Sequence, residues 1–97
     1  MSLDDAIAAV MENLSSFGTA GIRAVNDDAV VSALRRSGMG KAEARQLGRE
    51  AIANLGGYIE PGTRVGGLRP GGPRRRMHEV WWVPEASVRR DQTRPAA

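Results

Sequence analysis

At 97 residues, with 41% apolar content and no cysteine, the chain has material for one modest core, which excludes a second domain, a disulfide staple and cysteine-based metal or thiolate chemistry. The net charge of +3 is unevenly spread: residues 1–34 carry one arginine against five acids, whereas residues 35–97 carry thirteen basic residues against six acids. Phosphate affinity follows local rather than total charge, so this asymmetry suits a surface facing a polyanion, the other reading being a solvated charged surface.

In chain order, Ser2 followed three residues later by Asp5 is a helix-start arrangement in which hydroxyl and carboxylate each satisfy a free backbone donor. Leu3, Ile7, Val10, Met11 and Leu14 then recur at helical spacing, predicting a first helix over Ser2–Ser15 with Phe17 closing the same core. The start of the chain is acidic where a signal peptide is basic, and no apolar run approaches the roughly 18 residues that span a bilayer, so a cytoplasmic, non-membrane protein is expected. Gly18–Gly21 break the helix, and Ile22–Val25 alternate as a short strand. Asn26, Asp27 and Asp28 supply caps for a second helix with Val30, Val31, Ala33 and Leu34 inward, stopping at Ser37-Gly38. A third helix is predicted from Lys41 to about Leu55, with Ala44, Leu47, Ala51, Ile52 and Leu55 inward and Gly56-Gly57 as its stop.

Tyr58–Glu60 and His78–Val83 read as strands that pair as a hairpin, bounded by Pro61 and Pro84. Between them, residues 62–77 hold five arginines, five glycines, two prolines and no acid. A connection of that length is normally either functional or disordered. The domain is expected over residues 1–85, and residues 86–97, lacking apolar periodicity, are expected to be a flexible tail.

The stretch from Ala33 to Leu47 resembles a helix-turn-helix, with Ala33, Gly38, Met39, Ala44 and Leu47 at the matching positions. Two helices crossing steeply through a short turn need a left-handed residue and a small residue at the contact. The order helix, short strand, helix, helix, strand, basic loop, strand over residues 2–84 extends the likeness to the winged helix-turn-helix superfamily. That resemblance implies an α+β, mainly α, three-helix domain with a C-terminal β-hairpin wing. It also implies binding to double-stranded DNA, in regulation of transcription or another DNA transaction, with residues 41–55 as the recognition helix in the major groove. Small size and alanine- and arginine-rich usage further suggest a phage-like origin. Gly38-Met39-Gly40 with Ala44 and Leu47 also resembles the helix-hairpin-helix, but Arg36 stands where an apolar residue belongs and Ser37 where proline is frequent. A phosphate-binding loop is excluded by Arg35 and Ala42 at its first glycine and metal-binding hydroxyl positions.

Lys41, Arg45 and Arg49, spaced four apart, line one stripe of the third helix with Gln46 beside them. Arginine and glutamine pair bidentately with guanine and adenine edges, so these four are the candidate base readers; the bland alternative is an exposed face on which Glu43 and Glu50 pair with basic neighbours. Arg64, Arg69, Arg74, Arg75 and Arg76 would take the DNA backbone or a narrow minor groove, against the alternative of a solubilising loop.

Enzyme chemistry finds little support. His78 is the sole histidine, no serine lies in a nucleophile-elbow pattern, and Asp4, Asp5, Asp27 and Asp28 sit at helix starts where capping explains them, so no catalytic residue, metal or cofactor is assigned. The rival from another class is a protein-interaction module. Adjacent strand residues point to opposite faces, so one of Trp81 and Trp82 is buried under the helices while the other needs cover from the wing, from a second copy in a homodimer, or from a protein partner.

Overall fold

Among the described residues, four helices contribute to a core on one face of a four-stranded antiparallel sheet, which makes the protein an α+β fold. The computed structural model describes the backbone of residues 2–61, 64–65, 75–76 and 79–93, and the side chains of residues 2–61 and 79–90. In chain order the elements are α1 (Leu3–Glu12), β1 (Leu14–Thr19), β2 (Ile22–Val25), α2 (Asp27–Arg35), α3 (Lys41–Asn54), β3 (Tyr58–Glu60), β4 (Arg64–Val65), β5 (Arg75–Arg76), β6 (Val80–Pro84) and α4 (Glu85–Thr93). The main sheet runs β1-β2-β6-β3, and β4 pairs with β5 in a separate two-stranded ladder.

The start of α1 is the expected reciprocal cap: Asp5 N donates to Ser2 Oγ at 3.3 Å, and Ser2 N donates to Asp5 Oδ2 at 2.9 Å. The end differs from expectation. The helix stops at Glu12, with Asn13 Nδ2 donating to Ala9 O at 2.8 Å, and Leu14–Thr19 form a strand that turns back onto β2. Leu14 suits either period, because opposite Val25 it packs against the same core that the helical stripe would reach. Ser15 and Ser16 favour the strand, since serine hydroxyls offer the backbone non-helical partners; Phe17 N donates to Ser15 Oγ at 3.1 Å. The Ala20-Gly21 turn, with φ of +49° and +81°, has the mirror-image twist that joins two strands tightly. Pairing is irregular between Leu14 and Gly18, a bulge on the outer edge strand.

The α2–α3 pair follows the sequence closely. Asn26 Oδ1 accepts from Ala29 N at 3.3 Å, and the turn passes through Gly38 at φ +101°, where a side chain would be strained. Ala44 is fully buried, and Ala33, Met39 and Leu47 are partly buried against the core. Gly56, at φ +81°, closes α3. The expected hairpin partners do pair, with Tyr58 opposite Trp82, Ile59 opposite Trp81 and Glu60 opposite Val80; β6 also pairs with β2 on its other side.

Alternation along β6 sends Trp81 and Val83 into the helical core and Trp82 to the opposite face. Trp81 is completely enclosed among α1, α2 and α3 side chains that include Val10, Leu34 and Ile52. Trp82 is also buried, but its cover comes from this chain's own Phe17 and Tyr58, whose ring centroids lie 5.9 and 6.5 Å away. No second copy or partner is needed to shield it. Phe17 correspondingly lies outside the helical core and is 57% exposed.

The expected tail is helical from Glu85 to Thr93, giving a fourth helix among the described residues. Its anchors are short-range in space and long-range in sequence: Ser87 Oγ donates to Leu55 O at 2.8 Å, Glu85 pairs with Arg23 at 2.7 Å, and Val88 enters the core. Val88→Ala is expected to cost about 2 kcal/mol, lowering the thermal midpoint by roughly 8–16 °C in a chain of this size, as followed by circular dichroism. An unchanged midpoint would mean that α4 contributes nothing to the fold. Residues 94–97 lie outside the described residues.

Candidate nucleic-acid interface

The stripe Lys41, Arg45 and Arg49 exists on α3, but its members face three different surroundings. Lys41 is exposed in the first turn, beyond a glycine cap that makes no side-chain hydrogen bond. Arg45 is turned inward, with its side chain only 15% exposed. Its guanidinium meets Asp27 at 2.9 Å, Asp28 at 3.2 Å and Glu79 at 3.6 Å, and lies 5.7 Å from the ring centre of Trp81. Because Asn26 caps α2, Asp27 and Asp28 are left to turn their carboxylates to Arg45.

Arg49 lies one turn on and holds Glu79 with Nε at 2.9 and 3.0 Å from the two carboxylate oxygens and Nη2 at 2.8 Å. Gln46 Oε1 accepts from Arg49 Nη1 at 3.5 Å and is otherwise on the exposed side of the helix. One cation network thus ties the start of α2, the middle of α3 and the head of β6.

The electrostatics follow from this geometry. Partial burial works against the Arg45 charge, yet the Asp27 hydrogen bond and the charges of Asp27, Asp28 and Glu79 outweigh it and raise the guanidinium pKa. For Glu79, desolvation pushes the carboxyl up, but the hydrogen bonds and charge of Arg49, the Trp81 indole and the Arg45 charge together bring it below its ordinary value. The Trp81 indole nitrogen is near enough to favour the carboxylate without closing a hydrogen bond of good geometry. The acids that engage the stripe are these three rather than the expected helix neighbours Glu43 and Glu50, which are exposed.

The solvent side of α3 carries Lys41, Ala42, Glu43, Gln46, Glu50, Ala53 and Asn54, one cation against two acids. Positive charge is concentrated instead around the preceding turn, where Arg35, Arg36 and Lys41 are all exposed. Arg35 and Arg36 are visible in the sequence as an adjacent basic pair, but they lie off the α3 stripe from which the candidate base readers are drawn. Arg69, Arg74 and His78 lie outside the described residues. For Arg64, Arg75 and Arg76 the backbone is described: Arg64 stands opposite Arg76, and Val65 opposite Arg75, in the β4–β5 ladder.

Among the described residues no helix is long and apolar enough to cross a membrane. The chain matches no protein-family model, no curated protein and no solved structure.

Proposed function

We propose that this chain is a winged-helix-type DNA-binding protein that grips duplex DNA chiefly through its phosphates. The β4–β5 ladder is the observation that carries this reading. It sets Arg64 opposite Arg76 within a connection that has five arginines and no acid. Like charges at directly opposed ladder positions destabilise a two-stranded ribbon, and a bound polyanion is the simplest source of compensation. Further support comes from the Gly38 turn between α2 and α3 and from β6 lying between β2 and β3, the strand arrangement that sends such a ribbon out from one end of the sheet.

Under this reading Arg35, Arg36 and Lys41 join Arg64, Arg69, Arg74, Arg75 and Arg76 on the phosphates. Gln46, on the exposed side of α3, remains the side chain available to base edges; Arg49 reaches them only by releasing Glu79, and Arg45 acts as the strut that fixes α3 against α2 and β6. Regulation of transcription and other DNA transactions are equally served by such an interface, as is a cytoplasmic setting.

The test is affinity for a labelled duplex across a salt series, with wild type beside a variant carrying serine at Arg64, Arg69, Arg74, Arg75 and Arg76. For every phosphate that the variant no longer neutralises, the slope of log affinity against log salt should flatten by about 0.9, and all sequences should weaken alike. An unchanged slope would remove the wing from the interface. A protein-interaction module is the second reading, favoured by the exposed α3 face, whose two acids outnumber its one cation. Absence of duplex binding even at low salt would make it the better one.

A further inference from the structure

The two large apolar side chains that stand exposed among the described residues, Phe17 at 57% and Tyr58 at 48%, occur on the same surface. They flank Trp82 on the sheet face opposite the helical core, Phe17 from β1 and Tyr58 from β3. The Tyr58 and Trp82 rings are close to parallel at 27°, while Phe17 is tilted by 56°. Register adds Ile22, Ala24, Val80 and Pro84 to this face, each half-buried, and one acid, Glu60. Aromatic side chains presented by a sheet surface provide stacking area that every base can use, because every base has a π-face.

The same strands that carry Tyr58 and Trp82 run directly into the connection with five arginines and no acid. Chain continuity therefore tethers five positive charges to the strands that present these rings. A second copy would bring five more like charges tethered in the same way, which opposes self-association through this face. A nucleic-acid strand offers the complement, flat bases on a chain of phosphates. We propose that the open sheet face is a stacking platform for unpaired bases of single-stranded nucleic acid, with Phe17 and Tyr58 as the stacking rings and Trp82 as the rigid floor between them. The proposal rests on the nucleic-acid reading above and extends it from duplex to unpaired strand.

The experiment compares a fluorescein-labelled oligothymidylate of about 15 nucleotides, a length within the site sizes of sequence-tolerant single-strand binders, with a duplex of equal length. Wild type, the double variant Phe17→Ser/Tyr58→Ser, the conservative variant Phe17→Tyr/Tyr58→Phe and the five-arginine variant are titrated with each. Both residues are about half exposed, so the double variant should keep its helical circular dichroism. It is expected to lose about tenfold or more in single-strand affinity per ring removed while duplex affinity holds. The conservative variant should bind the single strand as wild type does, and Glu60→Gln should bind it more tightly by removing a negative charge from the face. Ultraviolet crosslinks to the oligothymidylate should map to Phe17 or Tyr58.

Wild-type single-strand affinity in the double variant would overturn the platform, and if the five-arginine variant still loses duplex binding, the DNA-binding reading survives without it. A wild type that binds neither probe overturns both. A dimer in sedimentation that becomes a monomer in the double variant, with oligothymidylate binding unchanged, would make the face a contact between copies and overturn the platform.

Discussion

Arg45→Ala is expected to destabilise the protein by about 2–3 kcal/mol, lowering the thermal midpoint by roughly 8–24 °C, while affinity for duplex DNA measured well below that midpoint changes little. The side chain is 15% exposed, and its removal leaves Asp27, at 17%, without its cation, while Glu79 keeps Arg49. A partly buried carboxylate that loses its partner keeps its desolvation cost, which makes the loss larger than for a surface pair. Arg45→Lys should fall between, because an ammonium cannot present a planar fork to three carboxylates at once. A variant that melts like wild type yet has lost sequence preference would make Arg45 a base reader.

The same network sets an acid limit. The folded Glu79 carboxyl lies below its ordinary value of 4.5, so its contribution to stability is complete above that value and is lost as pH falls through the folded pKa. The stability gap between wild type and Arg49→Leu in urea melts should therefore be widest near neutrality and narrow below about pH 4.5. A gap that is constant with pH would mean that the Arg49–Glu79 pair contributes through packing alone.

The second large effect is expected at two glycines pressed against the tryptophan pair. A Cβ on Gly48 would collide with the edge of the Trp81 indole, coming within 2.7 Å of Cζ3, and Trp81 is enclosed on every side. Alanine recovers about 1 kcal/mol of helix propensity, but overpacking a closed core costs about 1–3 kcal/mol. Gly48→Ala should thus bring no stabilisation and a loss of up to about 2 kcal/mol, despite lying in mid-helix, where glycine is ordinarily the poorer residue. At Gly57 the obstacle is the backbone carbonyl of Trp82, which no rotamer change can move, so Gly57→Ala must open the β3–β6 ladder and should cost more.

Non-additivity checks the assignment. Trp81→Phe vacates the space that the Gly48→Ala methyl needs, so the double variant should be more stable than the sum of the single losses implies. Simple additivity would mean that Gly48 and Trp81 do not touch.

Much of the architecture was legible wherever one period dominated. The Ser2–Asp5 cap, the inward positions of α2 and α3, the Gly38 turn and the pairing of Tyr58–Glu60 with the tryptophan strand all followed from local chemistry. The failures occurred where a residue satisfies two patterns or none. Leu14 fits a helical stripe and a sheet position equally, so the end of α1 depended on hydroxyls and a turn that periodicity does not register. Helix α4 has a single strong apolar anchor in Val88, and a lone anchor makes no period; its order comes from Leu55 and Arg23, far away in sequence.

For the candidate site, spacing correctly placed Lys41, Arg45 and Arg49 on one stripe but could not say what that stripe faces. Arg45 and Arg49 sit at the boundary between buried Ala44 and Gly48 and exposed Gln46, and their acidic partners arrive from α2 and β6 rather than from i±4 neighbours. Alternation placed the two tryptophans on opposite faces, while the cover over Trp82 depends on β1, a strand whose first residue also satisfies the helical spacing of α1.

Among the described residues the sheet has two open edges, and each carries its own obstacle to further strand addition. On β1 the bulge between Leu14 and Gly18 breaks the regular ladder of donors and acceptors, and on the other side β3 is only three residues long and is followed by Pro61. Short, interrupted edges are how sheets avoid templating one another. Crowding many copies together should therefore leave them discrete, like beads rather than a growing ribbon, and resistance to fibril formation at high protein concentration comes built into the ends of the sheet.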